Sequence, residues 1–186
     1  VKLPVLHANV VEKATGRAPL APYLLQDVAG VRLAILGLGR IAVEHQSARY
    51  LTFLDPLTTA RGLVPGLREK ADVLIGLTHI GADEDVRLAT ELPQFDLIVG
   101  GDSHTPLSIP RRVRRAGGLV ATTIVQAGDL GRFLGRVDLR LRREAGAIQV
   151  TSIEAVLLPV DDTGPEDPDV AAMLQTARMA LEQETF

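Results

Sequence analysis

Residues 71–106 read ADVLIGLTHIGADEDVRLATELPQFDLIVGGDSHTP and decide the fold of this 186-residue chain. Two short apolar runs, at 73–77 and 95–99, are rich in Val and Ile and are too short for helices, so they predict β-strands. The segment between them alternates polar and apolar residues with the period of a helix. This order predicts a βαβ unit, in which two parallel strands flank a helix.

Polar side chains follow both predicted strands. The first strand leads into T-H-I-G at 78–81 and the second into G-G-D-S-H-T at 100–105. Ligands of open α/β sheets bind outside such C-terminal strand ends, and paired glycines let the backbone turn tightly there. We therefore expect His79, Asp102 and His104 to converge as ligands of a divalent metal such as Zn, Mn or Fe.

Structural roles for the same residues stay open. An imidazole at a strand end can bond a backbone carbonyl, and Asp102-Ser103 can form a turn or a helix cap. The carboxylates at 83–85 are interpreted as capping groups that complement the helix dipole, with metal binding as the alternative. The arginines that follow His104 favour a solvated hairpin over a phosphate site; they are Arg111, Arg112, Arg114 and Arg115.

Further motifs accompany these strand ends in a fixed order. They are L-H-A-N-V at 6–10, G-V-R-L-A-I-L-G-L at 30–38, V-Q-A-G at 125–128 and L-G-R at 134–136. Together with L-T-H-I-G and G-G-D-S-H-T, they resemble the calcineurin-like metallophosphoesterase domain of the 5'-nucleotidase and 2',3'-cyclic phosphodiesterase family. The resemblance covers most of residues 1–141.

The resemblance implies a metallophosphoesterase-type α/β/β/α sandwich with mixed sheets, of which this chain lacks the N-terminal half. It also implies a site with two divalent ions, Mn, Zn, Fe or Mg, where His79 and Asp102 bind one ion and His104 binds the other. Asp102 stands where the family has a histidine, and its hard carboxylate favours Mn or Mg. The family has a small residue at the position of His7, which is therefore interpreted as a packed or surface side chain.

The implied reaction is hydrolysis of a small-molecule phosphoester, a nucleotide above all, by a hydrolase of the 5'-nucleotidase type. The family's upstream motifs are D-x-H, G-D and G-N-H-[DE], and the last carries the histidine that protonates the leaving group. None of the three precedes the strand that ends at His79. The site of this chain is therefore expected to be incomplete. A noncatalytic scaffold or interaction module is the alternative, and a metal-free small-molecule binding domain is a weaker one.

Composition excludes several other classes. The net charge of −3, with 3% aromatic residues and no Trp, argues against polymeric nucleic acid as a partner. The chain has no Cys and therefore no disulfides, and it has no apolar run long enough to predict a membrane span. The compartment is undetermined from the residues, and only the resemblance implies a periplasmic or extracellular location.

The remaining chain predicts elements on both sides of the βαβ unit. A hairpin turns at 29–30, a loop opens at 37–39, and a helix starts at Asp55-Pro56 with a kink or split at 65–66. Antiparallel strands are expected at 119–126 and 133–142, and a third strand at 148–158, which together build a second sheet.

We expect two parts in the chain. Residues 1–160 are interpreted as the C-terminal part of a catalytic domain, and residues 161–186 as an acidic linker and helix leading toward an absent substrate-binding domain. The chain does not begin with Met, which indicates a segment of something larger. Sheet edges left without partners would favour self-association.

Overall fold

The computed structural model describes residues 3–114, 122–161 and 163–184. Within these ranges the chain forms ten strands, three α-helices and one 3₁₀ turn at Gln46–Arg49. The elements are β1 (Val10–Glu12), β2 (Tyr23–Val28), β3 (Val31–Gly39), β4 (Leu51–Phe53), α1 (Pro56–Lys70), β5 (Val73–His79), α2 (Ala82–Glu91), β6 (Leu97–Val99), β7 (Arg111–Val113), β8 (Thr122–Val125), β9 (Phe133–Glu144), β10 (Ala147–Pro159) and α3 (Pro168–Glu184).

A six-stranded mixed sheet forms the centre of the fold, in the order β2-β3-β5-β6-β8-β7. Its four inner strands, β3, β5, β6 and β8, are parallel neighbours, and β2 and β7 pair antiparallel to them at the two edges. The predicted βαβ unit is confirmed, since β5 and β6 are parallel and α2 connects them.

Apolar side chains are buried on both faces of this sheet. On one face α1 and α2 pack around Leu36, Leu74 and Phe95. On the other face the β9–β10 hairpin packs through Val150 and Ile153 against the strands. The layers therefore run helix, sheet, hairpin, and the predicted mixed-sheet α/β class is confirmed.

Helix α1 starts as its sequence indicates but does not divide. Asp55 is the N-cap, and its Oδ1 accepts a hydrogen bond from the Thr58 N–H at 2.6 Å. The expected split at 65–66 is wrong, because one helix runs through Pro65. Val64 and Leu67 are buried beside it, and their packing outweighs the hydrogen bond that a proline cannot donate.

The β2–β3 hairpin turns where expected, with positive φ at Ala29 (52°) and Gly30 (77°). The loop expected at 37–39 is instead the end of β3. A Cβ on Gly37 would lie 2.5 Å from the Leu6 Cβ, so the glycine lets the preceding segment cross closely over the strand. Glycine here serves close packing and not a turn.

Strand β8 occupies a different place from the one expected. It lies between β6 and β7, and all four of its residues are buried, which suits a strand covered on both faces. The expected pairing with 133–142 is therefore wrong, since β9 pairs with β10. Residues 119–121 of the expected strand and Arg115 of the expected hairpin lie outside the described residues.

The C-terminal helix α3 exposes nearly all of its described side chains. The boundary between a catalytic part at 1–160 and a linker-helix part at 161–186 stays a prediction. None of the helices in the described ranges is long and apolar enough to cross a membrane.

We propose that the chain self-associates through β2, beyond which the described residues place no further strand. Its exposed residues include Leu25 and Val28, both nearly half exposed, and an unpaired apolar edge is a template for another strand. Sedimentation velocity should show a mass that rises with concentration, and Leu25→Lys should reduce this rise. The control Leu174→Lys changes an exposed leucine on α3 and should behave like the parent chain. A monodisperse monomer at high concentration would contradict the proposal.

Candidate functional site

The four parallel strands end at one edge of the sheet, and polar side chains follow each end. Arg40 follows β3, His79 ends β5, and Asp102 follows β6 after two glycines. Gln126 follows β8. The topology therefore brings four distant parts of the chain to the crevice where α/β sheets bind ligands.

His79 and Asp102 meet at this edge. The His79 Nε2 lies 3.5 Å from the Asp102 Oδ1, and the Arg40 Nε lies 3.2 Å from the same oxygen. A Cβ on Gly101 would lie 2.8 Å from the His79 Nδ1, so only glycine leaves room for the imidazole. The result is an imidazole and a carboxylate that face one point, with a guanidinium beside them.

His104 lies with a different carboxylate. Its Nδ1 is 3.4 Å from the Asp129 Oδ2. The hydrogen bond from Arg132 and the nearby His104 hold the pKa of the Asp129 carboxyl below its usual range. The structure therefore pairs His79 with Asp102 and His104 with Asp129, and the three predicted ligands do not form one cluster among the described residues.

The spacing of the His79 and Asp102 donor atoms suits a divalent ion. Two ligands that share an ion at about 2.0–2.2 Å from each are themselves roughly 3–3.5 Å apart, and the His79–Asp102 distance fits this range. No set of three or more His, Asp or Glu side chains gathers as a metal cluster within the described ranges. The pair fits part of a metal site, and the metal assignment of all three residues stays a prediction.

The loop at 101–105, which carries Asp102 and His104, has an unusual backbone conformation. Asp102 and His104 adopt positive φ values of 75° and 55°, a conformation that non-glycine residues rarely take. Gln126 is 2% exposed and fixes this loop from beneath. Its Oε1 accepts from the Thr105 N–H at 2.7 Å and from the Ser103 hydroxyl at 3.1 Å. The amide nitrogen also lies 3.4 Å from the Gly101 carbonyl, to which it donates.

Asp85 lies behind the edge and is fully buried in the first turn of α2. Its Oδ1 accepts a 2.6 Å hydrogen bond from the Thr78 hydroxyl, while its Oδ2 has no hydrogen-bond partner. Burial raises the pKa of this carboxyl to about 6. Side-chain capping by 83–85 is wrong, because Gly81 is the N-cap and no side chain caps the helix, but all three carboxylates lie in the first turn, where they complement the helix dipole. Within that triplet, Asp85 instead bonds to the end of β5.

A cleft of about 590 Å³ opens beside the His79–Asp102 pair. Arg40 and His79 line it together with apolar side chains such as Leu38, Phe53 and Leu77. The His7 imidazole forms part of the wall, and its partial burial lowers the pKa of the ring. Its Nδ1 is buried without a hydrogen-bond partner. The interpretation of His7 as a packed side chain agrees with this position.

Asn9 anchors the segment that carries His7 to the end of β3. It is fully buried, its Oδ1 accepts from the Gly39 N–H at 2.9 Å, and its Nδ2 donates to the Gly39 carbonyl at 2.8 Å. The same amide donates to the Leu54 carbonyl at 2.9 Å. The cleft wall is therefore fixed by hydrogen bonds directly beside Arg40.

Sequence reasoning did not single out Arg40, Gln126 or Asp129 as site residues. Arg40 is the first residue after a parallel strand, a position that could have marked it once β3 was seen to extend to Gly39. No local signal marks Gln126 as the residue that fixes the loop, because its contacts lie more than 20 residues away along the chain.

Comparison with known proteins gives relatives for most of this chain, although no family model matches it. It is 32% identical to the trifunctional nucleotide phosphoesterase protein YfkN of Bacillus subtilis, over 89% of this chain and 11% of that protein. It is also 32% identical to the 5'-nucleotidase of Vibrio cholerae, over 85% of this chain and 33% of that protein. The chain thus spans a third or less of these relatives.

Solved structures give the same picture. The 5'-nucleotidase precursor of Thermus thermophilus superposes with a TM-score of 0.79 and 28% identity, over 96% of this chain and 38% of that chain. The sulfate thiohydrolase SoxB of Thermus thermophilus also superposes with a TM-score of 0.79, at 26% identity over 97% of this chain and 32% of that chain. The calcineurin-like phosphoesterase YfkN of Bacillus subtilis gives 0.75 at 19% identity, over 97% and 63% of the two chains, and shows the fold alone.

Asp85→Asn should change how stability depends on pH. In the folded chain the pKa of Asp85 is about 6, above its ordinary value of 3.8. The contribution of this carboxyl to the free energy of unfolding is therefore complete below pH 3.8 and is lost as the pH rises through 6. That difference corresponds to at most roughly 3 kcal/mol. Urea unfolding between pH 4 and 8 should show the variant gaining stability relative to the parent chain as the pH rises. Parallel pH curves for the two chains would contradict this.

Gln126→Leu should disorder the loop at 101–105. It leaves two donors and one carbonyl without their partner, which we expect to cost about 2–4 kcal/mol in unfolding free energy. Thr122→Val is the matched control, because Thr122 is also buried, at the start of the strand that Gln126 follows, but donates to the Phe95 carbonyl, away from the loop. Amide NMR shifts at 101–105 should change in the Gln126 variant alone. Equal shifts in the two variants would show a general packing effect.

Proposed function

We propose that this chain, a homologue of part of the 5'-nucleotidase type of calcineurin-like phosphoesterase, supplies one part of a divalent-metal site that hydrolyses small-molecule phosphoesters. The observation that carries the proposal is the 3.5 Å approach of the His79 imidazole to the Asp102 carboxylate at the strand edge. Homology to nucleotide phosphoesterases supports nucleotides as the substrate class.

In this proposal His79 and Asp102 hold one cation and His104 holds a second. Bound divalent ions would supply neutralisation of the phosphate charge and a lower pKa for bound water. The carboxylate of Asp102 favours Mn or Mg, while the imidazoles also suit Zn and Fe. Since the chain covers a third of the 5'-nucleotidase it matches, further ligands belong to the rest of such a protein.

The remaining residues of the edge orient these donors. Gly101 admits the His79 ring, and Gln126 fixes the backbone on either side of Asp102. Apolar side chains such as Leu38, Phe53 and Leu77 line the cleft next to the pair. With a volume of about 590 Å³, the cleft lies in the range of small-molecule sites.

A noncatalytic scaffold or interaction module is the second candidate, and a specific contact favours it. Asp102 already has a cationic partner, because Arg40 lies 3.2 Å from its Oδ1. A carboxylate neutralised in this way is satisfied without a metal.

A sulfur ester is an alternative substrate for the proposed enzyme, since the chain is also similar to a sulfate thiohydrolase.

Metal content after Mn loading separates the two candidates. We expect at least one Mn per chain to survive desalting, as measured by elemental mass spectrometry, and His79→Ala/Asp102→Asn to lose it. His45→Ala is the control, because His45 is an exposed histidine outside the cleft. A folded parent chain that retains no Mn would favour the scaffold. If Mn is retained, phosphate release from a nucleoside monophosphate should then be assayed in the protein that carries this chain with the upstream motifs.

A further inference from the structure

Arg40 is the cation nearest to the His79–Asp102 pair among the charged contacts of the described residues. Its backbone N–H donates to the His79 carbonyl at 2.9 Å, so its position follows that of β5. Its guanidinium contacts Asp102 through Nε at 3.2 Å and Glu44 through Nη2 at 2.5 Å. The side chain is nearly half exposed and lines the cleft. Arg40 is therefore attached to the strand edge beside the His79–Asp102 pair, and its side chain lies at the cleft wall.

The Asp102 Oδ1 is shared between two cationic or metal-binding groups. Arg40 and His79 approach this one oxygen, at 3.2 and 3.5 Å. A divalent ion held by His79 and Asp102 would meet the guanidinium as a like charge within about 5 Å, which is strongly unfavourable. Arg40 and such an ion therefore compete for the same carboxylate.

Glu44 offers Arg40 a second anchor when the first contact is lost. The two residues are four apart, and their ion pair does not involve Asp102. A guanidinium released from Asp102 stays at the cleft wall through Glu44, with its Nε–H and the N–H groups that Glu44 does not take available as donors. That geometry matches the oxygens of a phosphate, which accept two parallel hydrogen bonds from arginine.

We propose that Arg40 is the anion-binding residue of the cleft, and that it exchanges the Asp102 carboxylate for a phosphate oxygen when a divalent cation binds at His79 and Asp102. This inference rests on the proposed metal site and names the group that recognises its substrate. It also gives Arg40 two opposed effects: it weakens cation binding in the free chain and strengthens phosphate binding once the cation is present.

Calorimetric titration with Mn tests the competition. Arg40→Gln removes the charge and should bind Mn about tenfold more tightly than the parent chain, since one like charge near the ion is lost. Arg87→Gln is the matched control, because Arg87 pairs with Glu84 and Glu91 on α2, outside the cleft, and it should leave the Mn affinity unchanged. An Arg40→Gln variant that binds Mn no more tightly than the parent chain would overturn the competition.

Titration of the Mn-loaded chain with inorganic phosphate tests the recognition. The parent chain should bind phosphate about tenfold more tightly than Arg40→Gln, and Arg40→Lys should fall between them because it keeps the charge without the planar donors. Equal phosphate affinities in all three would overturn the anion-binding role. If neither the parent chain nor Arg40→Gln binds Mn, the proposed metal site is wrong, and so is the proposed exchange of the Asp102 carboxylate for phosphate at Arg40. Mn binding without these Arg40 effects overturns this inference alone.

Discussion

The common end of the four parallel strands is the constraint on which this structure depends. Parallel strands in one sheet direct their carboxyl ends the same way, so the residues after β3, β5, β6 and β8 must meet at one edge. At this edge the space between backbone and side chains limits how closely the histidine rings can approach the strands. Gly39 leaves space for the His7 ring and Gly101 for the His79 ring. The edge has room for these two imidazoles because the residues beside them are glycines without a side chain.

Order at this edge comes from buried amides. Asp102 and His104, on either side of Ser103, have positive φ and each store local strain of about 1 kcal/mol or more. Gln126 and Asn9 fix the neighbouring backbone through five hydrogen bonds between them to the loop and to Gly39. Such buried, fully satisfied polar groups specify one arrangement and make the strain persistent.

Charge at the edge is divided between two environments. Asp102 is partly exposed and has a guanidinium and an imidazole beside it, so its negative charge is compensated. Asp85 is buried, has one hydroxyl as its partner, and burial raises the pKa of its carboxyl. The two carboxylates are 17 positions apart in the chain and have different contacts. Asp102 lies at the strand edge beside Arg40 and His79, and Asp85 joins α2 to β5.

The sequence by itself determined the βαβ unit, the α/β class, the cap of α1, and the neighbourhood of His79 and Asp102. These follow from local patterns, namely apolar runs, glycine pairs and strand-end polar residues, whose effect acts within a few positions. Tertiary structure alone decided the place of β8 inside the sheet, the unbroken course of α1 through Pro65, and the pairing of His104 with Asp129. It also decided that Asp85 bonds to Thr78 and that Arg40 reaches Asp102. Arg40, for example, lies 62 positions before Asp102, and no local pattern reports a contact that forms only when two strands end side by side.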